Sequence, residues 1–283
     1  MRAFENAPEF TVEELLSDPT IDAIAVETEE IYLTKYAQMV VDAGKHLHME
    51  KPGSQDLPSF EKLISTVKEK GLVFHTGYMY RYNPTILTLL EEIRQGQLGE
   101  VLNVQVQMSG DQSPALRQWL TNFKGGMMFY LGCHIIDLVY SIQGKPLAVH
   151  PFNRSTGLDG AQGEDFSLAL LEYEKGISTV RSDANQIGGY PLRSLVVTGT
   201  KKTVQLCPME MPVPGGKQTT TRLDLCDREW SNRGITQESD PDHRYNGMMA
   251  SFAAMVRGEK KNPYTPDYEL ELFRLILQCC GVN

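Results

Sequence analysis

Residues 22–52 read DAIAVETEEIYLTKYAQMVVDAGKHLHMEKP. The stretch opens on a short apolar run typical of a buried strand, and a second short strand is predicted at His46–Met49. Between the two, apolar residues recur with helical spacing on one face: Leu33, Tyr36, Ala37, Val40 and Val41. Gly44 marks the end of this helix. Strand, helix and strand in this order predict a parallel strand pair joined by a helical crossover.

The same alternation continues on both sides of this stretch. Thr11 and Glu14 have the spacing of a capping box, which predicts a helix through Leu16. A further helix is predicted at about Leu57–Lys70 and a further strand at Leu72–Thr76. The first part of the chain is therefore expected to form a parallel βα layer, with ligands at the carboxyl ends of its strands.

The pattern changes near Tyr82, where we predict a boundary between two domains. A helix follows from Pro84 to about Gln95, then a half-buried strand at Glu100–Met108 and one apolar helix at about Met127–Ile142. The rest of the chain is predicted to be mainly strands, at residues 148–153, 166–173, 177–184 and 192–198.

Residues 208–244 are rich in Pro, Gly, Thr and Asp, which predicts a loop or lid. Helices near residues 245–257 and 268–280 close the chain. The two halves together predict an α/β protein with a parallel first part and a mainly antiparallel second part.

The composition excludes several classes of protein. Apolar residues make up 41% of the 283 residues and charged residues 22%, as in ordinary globular proteins, and the formal net charge is −9. With a negative field and no basic tract, we expect neither nucleic acid nor a membrane as partner. No run approaches the roughly 18 apolar residues of a membrane span, and the first residues lack the features of a signal peptide. We expect a cytoplasmic protein whose five cysteines are reduced thiols.

Lys51 follows a predicted strand, in the sequence Glu50-Lys51-Pro52. Pro52 restricts the backbone of Lys51 and so holds the side chain in a defined direction. A lysine held there could bond a substrate hydroxyl and relay its proton, provided that its pKa falls from about 10.4. The alternative, favoured when the residue is considered alone, is an exposed loop lysine.

Arg81 lies between Tyr80 and Tyr82, just after the strand predicted to end at Thr76. Its guanidinium could bind a phosphate or a carboxamide, and the tyrosine rings could form an aromatic wall for a sugar. The alternative is a surface arginine with tyrosines packed beneath it.

The strongest local pattern runs from Gly125-Gly126 to Asp137. On a helix, Tyr130, His134 and Asp137 would share one face, a polar stripe on an otherwise apolar helix. His134 could then bind substrate or act as an acid or base, because the ordinary pKa of histidine is about 6.5. In the alternative, His134 is a core histidine whose hydrogen bond goes to Asp137.

His46 and His48 lie two residues apart on one predicted strand, as two metal ligands could. No third ligand follows at a telling spacing, so ordinary strand histidines are the favoured interpretation and we predict no metal.

Together these segments resemble the glucose–fructose oxidoreductase, inositol dehydrogenase and MocA-like (Gfo/Idh/MocA) family of NAD(P)-dependent enzymes. The matching segments occur in family order across most of the chain: Asp18–Val26, Ala43–Pro52, Tyr80–Pro84, Gly125–Asp137 and Val196–Val204. The resemblance implies a Rossmann domain, here residues 1–82, followed by residues 83–283 as an α+β domain for substrate binding and oligomerisation. The open, mainly antiparallel sheet of that second domain would form a dimer or tetramer, and the C-terminal helix could pack back on the first domain.

The resemblance also implies an activity, in which a hydride passes between the nicotinamide of NAD or NADP and a sugar or polyol carbon. Lys51 would touch cofactor and substrate, and His134 would bind the reacting hydroxyl. Tyr130, which could donate a hydrogen bond or relay a proton, is predicted as a third catalytic residue. The cofactor is expected to contact Thr28, Glu50, Lys51, Pro52 and Arg81. The substrate is expected to contact Lys51, Tyr80, Trp119, Tyr130 and His134.

Three features depart from the family pattern. Tyr130 stands four residues before His134, where the family commonly has an acidic residue, and Thr28-Glu29-Glu30 replaces Thr-Pro-Asn. The chain contains no G-x-G-x-x-G fingerprint for a pyrophosphate. We expect Met1 to begin two βα units late, about 60 residues at roughly 30 per unit. Either the recorded start is misassigned or trimmed, or part of the cofactor site has been lost, which makes this a partial Rossmann domain.

Two main hypotheses follow. The first is an active NAD(P)-dependent oxidoreductase of sugars, polyols or related cyclic hydroxy compounds, acting on a small molecule. The second is a non-catalytic carbohydrate-binding or scaffold protein that has lost the cofactor site. A hydrolase that uses bound nicotinamide transiently is a third, which rests on analogy of fold alone.

Overall fold

The computed structural model describes residues 8–282, which form two compact units. The first unit contains residues 8–77 together with Ser251–Leu270, and the second contains Tyr78–Ala250 together with residues 271–282. The chain thus leaves the first unit after Gly77 and returns to it for twenty residues near its end. The domain limits predicted from the sequence, 1–82 and 83–283, stay a prediction beside this division.

The first unit is a layer of three strands with helices. Its elements in chain order are α1 (Val12–Ser17), β1 (Ala23–Val26), α2 (Glu30–Asp42), β2 (His46–Met49), α3 (Leu57–Lys70) and β3 (Phe74–Thr76). The strands lie in the order β1-β2-β3 and both pairs are parallel, with Ala23 opposite His46 and Leu47 opposite Phe74. The predicted parallel βα layer is therefore confirmed.

Local sequence signals account for the helix ends in this unit. The capping box at α1 is present, with the Glu14 amide donating to Thr11 Oγ1 at 3.2 Å and the Thr11 amide to Glu14 Oε2 at 2.7 Å. Asp56 caps the start of α3, and Gly71 ends it with a φ of 62°. The predicted bounds of α3 and β2 are confirmed.

The core of the first unit lies between the strands and the apolar faces of α2 and α3. Its fully buried side chains come from both helices and from β2 and β3: Leu33, Ala37, Val41, Leu47, Met49, Phe60, Leu63, Val67 and Phe74. The returning segment is fastened to β3, because Asn262 Nδ2 donates to the Phe74 carbonyl at 2.7 Å and Thr76 Oγ1 donates to Glu269 Oε1 at 2.6 Å.

The second unit contains most of the strands. Its helices are α4 (Pro84–Arg94), α5 (Pro114–Trp119) and α6 (Cys133–Gln143), with short 3-10 turns at Met79–Tyr82, Leu120–Asn122, Leu158–Gly160 and Tyr190–Leu192. Its strands are β4 (Val101–Gln107), β5 (Ala148–Arg154), β6 (Phe166–Tyr173), β7 (Gly176–Asp183), β8 (Ser194–Gly199), β9 (Thr203–Leu206), β10 (Met211–Val213), β11 (Lys217–Thr219), β12 (Thr221–Leu225) and β13 (Ile235–Glu238). The last two helices, α7 (Asn246–Val256) and α8 (Pro266–Cys279), have residues in both units.

Eight of these strands form one sheet in the order β13-β12-β9-β8-β4-β7-β6-β5. All neighbours are antiparallel except β4 and β7, so the predicted mainly antiparallel sheet is confirmed. Side chains alternate across it, with one face buried against α6 and neighbouring elements and the other more exposed. The buried face includes Val104, Val106, Ala169, Leu171, Val180, Leu195 and Val197.

Two predictions for this unit are wrong. Residues 208–244 are not a loop, since they contain four strands, of which β12 and β13 extend the large sheet. Three of the seven Pro and Gly residues form the turn Pro214-Gly215-Gly216 between β10 and β11, while Arg222–Leu225 of β12 pair with β9.

The helix predicted at 127–142 is not continuous α-helix either. It begins as a π-helical turn at Met128–Gly132 and becomes α-helical as α6. Across residues 8–282, no helix is both long and apolar enough to cross a membrane.

Candidate functional site

The first group of candidate residues lies at the carboxyl ends of the parallel strands in the first unit. Thr28 comes two residues after β1, Glu50-Lys51-Pro52 directly follows β2, and Gly77 directly follows β3. Because carboxyl ends of parallel strands meet at one edge of a sheet, these residues share that edge. The peptide bond between Lys51 and Pro52 is cis.

Lys51 is held by an acidic neighbour. Its Nζ lies 3.4 Å from Oε1 of Glu30, and each side chain is only 12% exposed. Glu30 is the first residue of α2, where a carboxylate is also favoured by the helix dipole. The alternative of an exposed loop lysine is therefore wrong. The sequence marks Glu30 only as half of the unusual pair Glu29-Glu30 and does not indicate it as the partner of Lys51.

Glu50 is packed tightly beside the same lysine. Burial raises the pKa of its carboxyl group, the charge of Lys51 opposes this, and the charges of Glu27 and Glu30 raise it further. The carboxylate lies against Gly77, where a Cβ atom would come within 2.7 Å of Glu50 Oε1. Only glycine fits at position 77 while Glu50 keeps this place.

This set of donors and acceptors fits one part of a nicotinamide cofactor. An ammonium can donate to a ribose hydroxyl or a carboxamide, and the carboxylates can accept from ribose hydroxyls. Lys51, Glu50 and Thr28 are the residues at this edge that could hold the nicotinamide and its ribose. The sequence has no glycine-rich fingerprint, so no residue is assigned to the pyrophosphate.

The second group of candidate residues lies in the second unit around His134. His134 is the second residue of α6 and is 5% exposed. Its ring meets those of Tyr78 and Tyr80 edge to face, with centroids 5.9 Å and 6.1 Å away. The imidazole is thus buried between two tyrosines of the turn before α4.

Asp137, one helical turn beyond His134, is bound by Arg81. Arg81 Nε lies 3.0 Å from both carboxylate oxygens of Asp137, and its Nη2 lies 2.8 Å from Oδ1, so the pair is bidentate. Arg81 is 3% exposed and Asp137 is 0% exposed. The guanidinium also lies 4.6 Å from the ring centroid of Tyr78. Arg81 is therefore not a surface arginine, and Asp137 is engaged by Arg81. Cofactor binding by Arg81 stays a prediction.

Tyr130 and Trp119 form a separate pair in the second unit. Their rings meet edge to face with centroids 5.6 Å apart, beside a small core of Leu120, Met127 and Ala184. Tyr130 lies within the π-helical turn, so the α-helical spacing used to align it with His134 and Asp137 does not apply. Substrate binding by this pair stays a prediction.

The start of this helix explains the two glycines of the motif. Gly125 has a φ of 78° and its Cβ would lie 2.6 Å from Cys280 Cα, while Gly126 has a φ of 37° and its Cβ would overlap the carbonyl oxygen of Glu164. Both positions therefore need glycine for conformation and for space.

The hydroxyl of Tyr80 is bound to a residue that the sequence did not indicate. Tyr80 Oη donates to Glu210 Oε1 at 3.0 Å, and Glu210 in turn accepts from Arg193 and Arg244. Glu210 lies in the segment that was predicted to be a loop, and no pattern in that segment marked it.

The two strand histidines have different partners. His48 Nδ1 lies 2.7 Å from His75 Nδ1, and His46 Nδ1 accepts from the Val73 amide at 2.9 Å. Within the part of the chain that the structure describes, no three His, Cys, Asp or Glu side chains are grouped so that they could hold a metal ion.

Two sequence models of one family match the chain. The model described as the oxidoreductase family, NAD-binding Rossmann fold, matches residues 1–78, and the GFO/IDH/MocA C-terminal domain matches residues 86–205. Together they cover well over half of the sequence. The chain belongs to the GFO/IDH/MocA family. The predicted family is confirmed, as is the predicted combination of a parallel and a mainly antiparallel sheet.

Proteins similar to the chain include two that are named as dehydrogenases. The chain is 28% identical over 166 residues to scyllo-inositol 2-dehydrogenase (NADP(+)) IolW of Bacillus subtilis, a match that spans 58% of the chain but less than half (46%) of that protein. It is 24% identical over 281 residues to trans-1,2-dihydrobenzene-1,2-diol dehydrogenase of Bos taurus, covering 94% of the chain and 78% of the relative.

Solved structures also superpose on this chain. The oxidoreductase yvaA of Bacillus subtilis superposes with a TM-score of 0.78 at 20% identity, over 99% of the chain and 84% of that structure. At this level of identity, the similarity establishes the fold alone.

Proposed function

We propose that the protein is an NAD(P)-dependent oxidoreductase that transfers a hydride between nicotinamide and a sugar, a polyol or a related cyclic hydroxy compound. One observation carries the proposal. Lys51, only 12% exposed, stands at the carboxyl end of the middle strand of a parallel sheet, within a family whose N-terminal domain is NAD-binding. The names of the inositol and dihydrodiol dehydrogenases support a cyclic, hydroxylated substrate.

In this proposal, the nicotinamide when bound accepts or supplies the hydride. Lys51 donates a hydrogen bond to cofactor and substrate, and Thr28, Glu50 and Pro52 line the cofactor beside it. His134 binds the reacting hydroxyl, because a neutral imidazole can accept the proton that leaves a hydroxyl as it becomes a carbonyl.

Aromatic side chains are proposed to contact the substrate. The rings of Trp119, Tyr130 and Tyr80 offer apolar surfaces to the C–H groups of a sugar ring. Since the hydroxyl of Tyr80 is engaged by Glu210, its ring is the part that would make this contact. Tyr130 keeps the role of a proton donor in the proposal, and Tyr130→Phe tests it by removing only the hydroxyl.

The proposal is tested with the full chain, by titrating it with NADH and NADPH and then assaying a panel of polyols and cyclic diols at the nicotinamide absorbance. We expect saturable binding of one cofactor and turnover that Lys51→Ala lowers by about 10²–10⁴-fold, the usual contribution of a positioned acid or base. Lys45→Ala is the matched control, because Lys45 is another buried lysine of the first unit whose Nζ bonds the Asp18 carbonyl at 2.6 Å.

The second hypothesis, a non-catalytic carbohydrate-binding or scaffold protein, is favoured by one observation. The charge of Lys51 is already paired with Glu30. Binding of a polyol without binding of either cofactor would support it. Turnover that depends on Lys51 would exclude it.

We further propose that the protein is cytoplasmic and forms a homo-oligomer through the exposed face of the eight-stranded sheet, with neither nucleic acid nor a membrane as partner. Large apolar side chains are exposed on this face, among them Phe152, Phe166 and Ile177. Large apolar side chains exposed on one face of a sheet are typical of a protein–protein contact.

A further inference from the structure

Glu210 is a buried carboxylate that lies just before β10 and has no role in cofactor or substrate binding in the proposed function. It is 2% exposed. Tyr80 Oη donates to its Oε1 at 3.0 Å and Arg193 Nη1 donates to the same oxygen at 2.7 Å. Arg244 approaches the other oxygen, with Nε at 3.0 Å and NH2 at 2.6 Å. A carboxylate so far from water is stabilised only because all of these donors reach it.

The donors come from separate parts of the second unit. Arg193 directly precedes β8 and its guanidinium lies 4.1 Å from the ring centroid of Tyr190. Arg244 lies two residues before the start of α7 and donates to Tyr190 Oη at 2.6 Å. The two guanidinium groups, one of them also bound to Tyr190, hold Glu210 in one place, and its Oε1 accepts from Tyr80.

Tyr80 connects this cluster to His134. Its hydroxyl is engaged by Glu210, and its ring meets the imidazole of His134 at a centroid distance of 6.1 Å and an interplanar angle of 74°. Burial, and next the charge of Glu210, raise the pKa of Tyr80 well above its ordinary value, so its hydroxyl remains a donor. A charge-assisted bond to a fixed carboxylate is a stronger restraint on a ring than packing alone.

We propose that Glu210 is a positioning residue: by binding the hydroxyl of Tyr80, it holds that ring against His134 and so orients the imidazole toward the substrate hydroxyl. The inference rests on the proposed function for the role of His134, but the contact that it describes is a property of the protein itself. Glu210 does not touch the reacting atoms.

Three variants separate this role from a merely structural one. Tyr80→Phe removes the donor and leaves Glu210 with both arginines. Glu210→Gln keeps the size of the side chain and removes the charge. Glu92→Gln is the matched control, because Glu92 also binds two basic residues of the second unit, Arg222 at 2.6 Å and Lys202 at 3.1 Å.

The first measurement is NMR of histidine-labelled protein, which has six histidines, with the His134 signal assigned through His134→Gln. Ring currents of the two tyrosines displace the His134 proton shifts, so these shifts report directly on the contact. We expect Tyr80→Phe and Glu210→Gln to change them in the same direction, and Glu92→Gln to leave them unchanged. This measurement needs neither cofactor nor substrate.

The second measurement is steady-state kinetics of the active protein. We expect Tyr80→Phe and Glu210→Gln each to lower kcat by about tenfold with little change in KM, since misorientation affects the transition state more than ground-state binding. The double variant should lose no more than the more impaired single variant, because both changes break one contact.

Unchanged His134 shifts in both Tyr80→Phe and Glu210→Gln would overturn the inference, as would equal changes in Glu92→Gln. Additive losses in the double variant would also overturn it. If the wild-type protein binds no nicotinamide cofactor and turns over no polyol, the proposed function fails, while the NMR shifts still decide whether Glu210 holds Tyr80 against His134.

Discussion

Buried charges in this protein are neutralised by partners that lie far away in the sequence. Lys51 is paired with Glu30 across 21 residues, Arg81 with Asp137 across 56, and Tyr80 is bound to Glu210 across 130. Removing water from an ion is costly, so each of these groups is stable only when its partner is in place. A single substitution at one partner therefore changes the charge or the position of the other, so such substitutions test the function of these residues directly.

Glu30 is expected to control the charge of Lys51. A carboxylate 3.4 Å from an ammonium favours the protonated form, and Glu30→Gln removes that charge while keeping the size of the side chain. We expect the alkaline limb of the pH–rate profile to move to lower pH, measured as kcat/KM between neutral and alkaline pH. Glu29→Gln, at the exposed neighbouring carboxylate, is the control. Identical profiles for wild type and Glu30→Gln would contradict this prediction.

His48 is expected to make the protein less stable in acid. Burial lowers the pKa of its imidazole from 6.5 to about 4, so the folded state keeps His48 neutral in a range where the unfolded chain takes up a proton. Stability from this group is complete above pH 6.5 and is lost as the pH falls toward 4. The loss is on the order of 3 kcal/mol in the free energy of unfolding.

The variant His48→Asn tests this, because an asparagine amide can replace Nδ1 in the 2.7 Å contact with His75 and does not titrate. Urea denaturation at a series of pH values should show the wild type losing more stability than the variant between pH 6.5 and pH 4. Parallel stability curves for the two proteins would show that His48 is not the group responsible.

At the scale of the secondary-structure elements, the helix that carries His134 has an irregular start. Two glycines with positive φ precede a π-helical turn, and only then does α6 begin. The π turn displaces Tyr130 from the α-helical register and places it against Trp119. Irregular turns of this kind often lie at functional sites, because they direct side chains that a regular helix would leave on another face.

Gly126→Ala should destabilise the second unit severely. The substitution adds a Cβ that overlaps the carbonyl oxygen of Glu164, and it also forces a residue with a side chain into a φ of 37°. We expect a loss of more than about 2 kcal/mol in the free energy of unfolding. Gly157→Ala is the control, since Gly157 has a φ of 68° with open space around it. It should cost only about 1 kcal/mol, the penalty for the backbone alone.

Chemical denaturation of the two glycine variants measures the difference. If Gly126→Ala loses no more free energy of unfolding than Gly157→Ala, the start of the helix accommodates the added Cβ without strain, and the prediction is wrong.

At the scale of the whole molecule, the more exposed face of the large sheet is the surface through which we propose association. Leu170 alternates with the buried residues Ala169 and Leu171, and in the register of the sheet it stands opposite His150 and Thr179 on the more exposed face. We expect Leu170→Lys to reduce the proposed oligomer to monomers in sedimentation velocity, because an ammonium in an apolar contact loses its water without gaining a partner.

Ile187→Lys is the matched control, since Ile187 is an apolar residue that is 85% exposed in a loop outside the strands. It should leave the association unchanged. A wild-type protein that sediments as a monomer, or equal effects of the two lysine substitutions, would refute association through this face.

Much of the fold could be predicted because its signals are local. The bounds of α3 and β2 follow from residues next to them, such as the cap Asp56 and the terminal Gly71. The strands of residues 208–244 could not be predicted, since they are only three to five residues long and turn-forming Pro and Gly residues stand among them. The continuous helix at 127–142 was predicted from apolar spacing alone, which does not report the extra residue of a π turn.

The sequence by itself determined the family, the parallel order of the first strands and the candidates Lys51 and His134, because these depend on short motifs and on periodicity. Only the tertiary structure decided their surroundings: Glu30 beside Lys51, Arg81 on Asp137, and Tyr80 held between Glu210 and His134. The physical reason is that a buried charge or hydroxyl needs a hydrogen-bond partner, and only the fold decides which residue comes within hydrogen-bonding distance. The separation of two residues in the sequence does not predict such a contact.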